Sequence, residues 1–426
     1  MSSPLGTVLR TRGTIYLLGT SLVGRLPTAM AALAIVQLVR LQGGGYTLAG
    51  TMTAAYIVAG AFGQPLLSRR IDRVGQTLVL LISAVVSAAA FVCLALLAAP
   101  VPVLGLLCAV VAGVFTPPLE PSLRTLWPRM LGEGRTLKAA FSLDAGAQEI
   151  LFIVGPLLTV LGIAWFGSTG DVVFAGLLGL AGAVAFAVHP VSQGAGRPVA
   201  APPGEARLPE AGRPVAAEAG SGASGGVARG GAGGHPSPLR NRQFVRILVF
   251  TFGVGIPVGV LTIAVTVFED QHAAPGFAGW ALAANAFGAL IGATVLAVRP
   301  LRAAPQRAMW VCGLLLAAVY VPLAVGSAGA GYYLVAAVVS GLLLPPTLTQ
   351  IFETVEQVSA RSGLTEANAW VVSAINLGIA FGTLGAGAVA NTHGTYTITV
   401  VVGVAVLVTA GLALLVRPRR LGVAGA

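Results

Sequence analysis

The sequence predicts an all-α membrane protein of twelve spanning helices, arranged as two pseudo-symmetric halves of six. Three observations predict it. Of 426 residues, 56% are hydrophobic and 9% charged, whereas a soluble domain carries about 25% charged residues. Such a chain cannot cover a water-facing surface and must face lipid. Its apolar runs recur about a dozen times at lengths near the roughly 20 residues that cross a bilayer. Finally, the stretch 112–163 returns in weakened form at 340–390. Pro117-Pro118 match Pro345-Pro346, Gly113 matches Gly341, and Ala139 matches Ala367, all 228 residues apart (345 minus 117) without a gap. So long a period means a duplicated half, not a solenoid.

The predicted spans are 14–39, 47–68, 77–99, 102–123, 139–165 and 171–189, then 244–268, 277–298, 308–327, 331–356, 366–390 and 395–416. The first run is too long for the apolar part of a signal peptide, so it is read as span one. The domain boundaries follow: a first half over 1–189, a linker over 190–243, a second half over 244–416, and a tail over 417–426. The linker is rich in Gly, Ala and Pro and repeats GRPVAA. Without apolar periodicity it is expected to be disordered, a tether that lets the halves move independently.

Arginine placement sets the orientation. With the N-terminus inside, Arg10, Arg12, Arg69, Arg70, Arg73, Arg124, Arg129, Arg135, Arg299, Arg302, Arg307, Arg417, Arg419 and Arg420 are all cytoplasmic, and Arg40 alone lies outside. The outer loops instead hold Asp171, Glu269 and Asp270. Both termini and the linker are therefore expected on the cytoplasmic side. Trp127, Trp165, Trp280 and Trp310 fall near span ends, as interfacial anchors would. The net charge of +11 does not indicate a nucleic-acid partner, because the arginines sit in short loops. Cys93, Cys108 and Cys312 lie in apolar runs without metal or disulfide spacing and read as packing residues.

Ionisable residues inside spans are costly and usually functional. Arg25 lies near mid-depth in span one, and Glu149 near mid-depth in span five, so Glu149 is the expected partner of Arg25. Alternatively, Glu149 titrates or meets a cationic substrate, and Arg25 holds an anionic one. Asp144 and Gln148, one turn apart, share a face, and Glu149 sits about 100° round from Gln148. Asn376 occupies the position of Gln148 in the second half. Glu120 and Arg124, at i and i+4, are expected to pair at the inner end of span four, or to form part of an inner gate with Glu353. The pairs Pro117-Pro118 and Pro345-Pro346, and Pro156 in span five, remove backbone donors and should kink their helices. Kinks at equivalent places in two halves point to the binding region. No phosphate-loop motif G-x-x-x-x-G-K-[ST] and no HExxH occur, so an ion gradient is the expected energy source, with no enzyme chemistry, metal or cofactor.

Two six-span halves around a central linker resemble the major facilitator superfamily. So does SRRIDRVGQ (68–76), between spans two and three, where Asp72, Arg73 and Gly75 match the superfamily's loop signature; Ser68 and Gln76 depart from it. The resemblance implies alternating access about a central cavity lined by spans one, four, seven and ten, with Asp72 acting in the gate between halves. Gly146, Gly155-Pro156 and Gly162 are similar to the glycine-proline motif of proton antiporters that export drugs, although Thr159 and Val160 stand where paired glycines are expected. PPLEPSLRTLWPRML followed by LDAGAQEILFIVGPLL resembles a group of permeases from high-GC bacteria. The expectation is a monomeric permease of the bacterial inner membrane that exports a small organic molecule in exchange for protons. The alternative is an importer or facilitator in which Arg25 holds a carboxylate. A non-transporting scaffold is the third class, disfavoured by the buried charges and paired kinks.

Overall fold

The computed structural model describes residues 4–132, 134–194, 241–299, 301, 303–325, 329–358, 364–391 and 397–415. The expected linker and tail fall largely outside these residues. The helices, in order, are α1 (Pro4–Arg10), α2 (Thr14–Leu41), α3 (Tyr46–Val74), α4 (Gln76–Leu97), α5 (Pro102–Val114), α6 (Leu119–Leu131), α7 (Arg135–Ala187), α8 (Pro190–Gly194), α9 (Arg242–Gln271), α10 (Phe277–Val298), α11 (Pro305–Tyr320), α12 (Ala330–Gly341), α13 (Leu344–Val358), α14 (Leu364–Ala390) and α15 (Thr397–Leu415).

Among the described residues, nine stretches are long and apolar enough to cross a membrane. One of them, α7, turns back at Gly167, whose φ of 71° and ψ of 172° break the helix into spans five and six. The Thr- and Gly-rich α3 and the short apolar α15 complete the twelve. Two spans are interrupted where the sequence places proline pairs. Span four consists of α5 and α6, separated by Phe115–Pro118, and span ten consists of α12 and α13, separated at Leu342 and Leu343. A proline pair donates no backbone hydrogen bonds, so the chain cannot continue the ladder through it.

The two halves pack alike. In the first, α2 lies along α7, α3 against α5, and α4 against α7; in the second, α9 lies along α14, α10 against α12, and α11 against α15. Between the halves, α3 meets α14, and α7 meets α10. The repeated glycines explain the close approach. A methyl added at Gly113 would strike the carbonyl of Tyr56 on α3, and one added at Gly341 would strike the carbonyl of Asn285 on α10. Small residues at such crossings let helix backbones touch where lipid supplies no hydrophobic drive. Gly341→Val is therefore expected to lower the thermal-unfolding midpoint in detergent, at a cost on the order of 1–3 kcal/mol or more. A midpoint equal to that of the parent would contradict this packing.

One expectation is corrected. Trp127 is not an interfacial anchor: it is 0% exposed, packed with Leu17, Leu119, Leu123 and Phe186. The cause is that α6 is amphipathic, and its apolar face turns onto α2 and α7. Trp165 and Trp280 do lie exposed, near span ends.

Candidate functional site

Four ionised side chains meet inside the first half. The buried Arg25 of α2 donates from Nη1 to Asp144 Oδ1 of α7 at 2.8 Å, and its Nη2 lies 3.1 Å from Glu120 Oε2 of α6. Arg124 Nη2 lies 2.7 Å from Glu120 Oε1, one helical turn away, and its Nε lies 3.2 Å from Asp144 Oδ2. Each arginine thus touches both acids, and the charges cancel. Gln148 accepts a further hydrogen bond from Arg25 Nη2. Asp144 is 0% exposed and Arg25 7%, while Glu120 and Arg124 border open space. Charges taken out of water hold together only when such mutual contacts offset desolvation.

The sequence assigned Arg25 to Glu149, and the structure corrects this. Asp144 and Gln148, a turn apart, present one face to α2, and Glu149 lies about 100° away on α7. Glu149 is half-buried and has neither an ion pair nor a hydrogen bond among the described residues. The expected Glu120–Arg124 pair is present. Glu120 and Arg124 lie just beyond the Phe115–Pro118 break, so the tetrad ties the detached α6 to spans one and five. The break borders an internal cavity lined by Pro27, Thr28, Tyr56, Thr116 and Pro117.

The second half has no counterpart. At the 228-residue offset, Glu120, Arg124 and Asp144 become Leu348, Phe352 and Val372. When Pro27 is matched with Pro257, Arg25 becomes Gly255, which packs against Ile375 and Gly378 of α14. Asn376 is half-buried on α14. Asn285 donates to Ser340 Oγ at 2.8 Å and joins α10 to α12. Pro345 and Pro346 open α13, and Glu353 is exposed on it.

A second cluster was missed by the sequence reading. At the end of the bundle opposite Thr14 and Arg242, Arg40 Nη2 lies 2.8 Å from Asp270 Oδ2 across the halves. This is the one inter-half ion pair among the described residues. The Tyr46 hydroxyl also donates to Asp270, and the Arg40 guanidinium lies 3.9 Å over the Tyr46 ring. Tyr46 N donates to Asn391 Oδ1 at 3.1 Å, Asn391 Nδ2 to Thr47 Oγ1 at 2.7 Å, and Gln37 Nε2 to Glu269 Oε1 at 3.2 Å. The halves are therefore latched at this end. The available signal was that Arg40 and Asp270 are 230 residues apart, like Pro27 and Pro257, so they are equivalent positions carrying opposite charges.

The Gly155-Pro156 segment lies between the halves, with Gly155 against Ala29 of α2 and the Pro156 carbonyl against Gly279 of α10. The 68–76 stretch, expected between spans, is helical up to Val74 at the end of α3, and Gly75 alone separates it from α4 with a φ of 94°, a conformation that favours glycine. Arg73 is exposed, and the Asp72 side chain falls outside the described residues. Gln76, the departure from the loop signature, is buried and donates to Ser192 Oγ of α8 at 2.8 Å.

The family model for the Major Facilitator Superfamily matches residues 17–268, more than half of the chain. The chain belongs to the Major Facilitator Superfamily. It is a multi-pass membrane transporter. No curated protein sequence matches this superfamily member. Its fold is similar to that of a variant of the nucleoside transporter NupG, at a TM-score of 0.71 and 13% identity over 94% of this chain and 98% of that one. It is also similar to an auto-inhibited POT family peptide transporter (0.69, 14% identity, 96% and 98% covered) and to the POT family transporter PepTSo (0.66, 13% identity, 96% and 98% covered). At these identities the likeness shows the fold alone.

Proposed function

We propose that this transporter exports a small amphipathic organic molecule in exchange for protons, with Glu149 as the group that gains and loses the proton. The observation that carries the reading is the division of labour on α7. Asp144 is held by two guanidinium groups, so a proton there would dismantle the tetrad. Glu149 is free of partners, and a carboxylate inside a membrane span without a partner is most simply a functional one. The second half contributes apolar residues at the positions equivalent to the tetrad, which suits a substrate with an apolar body. With both termini cytoplasmic, in the membrane of a bacterial cell, the Arg40 end faces outward. The latched form is then the one closed to the outside. Glu353 and Asp72 would meet first-half and second-half partners when the cytoplasmic side closes in turn.

Glu149→Gln tests the reading. In vesicles with an imposed pH gradient, the variant is expected to lose gradient-driven accumulation, while exchange of substrate down its own gradient persists. Gradient-driven transport at the parent rate would remove Glu149 from this role. A second reading, import of a carboxylate-bearing metabolite, rests on Glu120. It is the exposed acid bound to Arg25, and its withdrawal would free that guanidinium for a substrate carboxylate.

A further inference from the structure

The geometry points to an oxidisable thiol pair, Cys93 of α4 and Cys108 of α5, that closes to a disulfide joining spans three and four. These antiparallel helices are in register on both sides of the pair. Ser87 Oγ donates to the carbonyl of Ala112 at 3.1 Å, and a methyl on Gly105 would lie 2.8 Å from Ala98 Cα. The position numbers total 199 at one contact and 203 at the other; Cys93 and Cys108 total 201 and so stand at the level between them. The two thiols lie near enough to interact electrostatically. The small residues Gly105, Ala98, Ala112 and Ser87 bring the two backbones close, which a disulfide requires, since its Cα atoms are usually about 4.4–6.8 Å apart.

The site is also reachable. Cys93 is exposed and Cys108 half-exposed, whereas Cys312 is buried. Cys93 lies about one turn from the end of α4, at the same end of the bundle as Arg40. Within a membrane, this exposure is to lipid and admits small membrane-permeant oxidants. In the reaction, two S–H bonds break and one S–S bond forms. The two protons and two electrons pass to a two-electron acceptor, either a diazene reduced to a hydrazine or a second disulfide reduced to two thiols. The bridge would fix α5 to α4 and would not reach α6, which lies beyond the Pro117-Pro118 break and is held by the tetrad.

The test uses the full chain with Cys312→Ser, treated in membranes with diamide, then denatured and labelled with a maleimide polymer. The two remaining thiols are expected to become unreactive together. The intact mass should fall by two hydrogens, and dithiothreitol should restore both labels. With Cys93→Ser added, Cys108 is expected to stay labelled. Two labels remaining on the oxidised protein, or protection that survives Cys93→Ser, would overturn the pair. So would a chain-to-chain dimer on a non-reducing gel in place of the internal bridge. Unmutated protein gives an independent reading, because its intact mass must show the same loss without any substitution.

Discussion

Asp144→Leu is expected to be among the most damaging single substitutions in the chain. It leaves Arg25, 7% exposed, and Arg124 sharing the single acid Glu120, so one positive charge stays in the membrane uncompensated. Removing one partner of a buried ion pair costs about 3–5 kcal/mol. The exposure of Arg124 places this case near the lower end. The measurement is the thermal-unfolding midpoint in detergent, with and without a bound lipid mimic. Adding Arg25→Met removes the stranded charge and leaves Glu120 and Arg124 as a local pair one turn apart. The double variant is therefore expected to be more stable than Asp144→Leu alone, a coupling that a double-mutant cycle reads directly. Strictly additive effects would mean that the tetrad does not act as a unit.

Asp270→Asn is expected to shift the molecule away from the latched form. The substitution removes the charge that binds Arg40 and weakens the bond from the Tyr46 hydroxyl. Both ends of the ion pair are partly exposed, so solvent screening reduces its contribution. An overall loss on the order of 1–2 kcal/mol follows from the charge-assisted hydrogen bonds. That corresponds to roughly a tenfold change in the ratio of open to latched molecules. Spin labels placed at the Arg40 ends of α2 and α9 would report it as growth of a longer-distance population. The swap Arg40→Asp with Asp270→Arg should restore the short distance. Distances unchanged in Asp270→Asn would show that Asn391, Thr47 and Gln37 hold this end without the ion pair.

The order of spans was legible because hydropathy depends on local composition. The halves were legible because the proline and glycine pairs recur at one offset. The Glu120–Arg124 pair was legible because it is local, one turn apart. What the sequence hid was rotational. Arg25 reaches Asp144 and not Glu149 because of which face of α7 turns toward α2, and neighbouring residues on a helix differ by about 100°. Trp127 was misread for the same reason, since its position near a span end gave depth but not direction. The Arg40–Asp270 latch joins the last turns of two helices in different halves. It appears only when equivalent positions of the repeat are superposed, where the two halves carry opposite charges.

The closed tetrad also has an electrical consequence. Moving one elementary charge across a membrane is worth about 2.3 kcal/mol per 100 mV. Arg25, Arg124, Glu120 and Asp144 sum to zero, so a tilt of the first half displaces no net charge through that field on their account. On the role proposed for Glu149, any voltage sensitivity of the cycle would come from charges outside the tetrad, Glu149 and the substrate among them. A protonated Glu149 with a neutral cargo would move no charge, whereas an ionised one would carry its charge through the part of the field that it crosses.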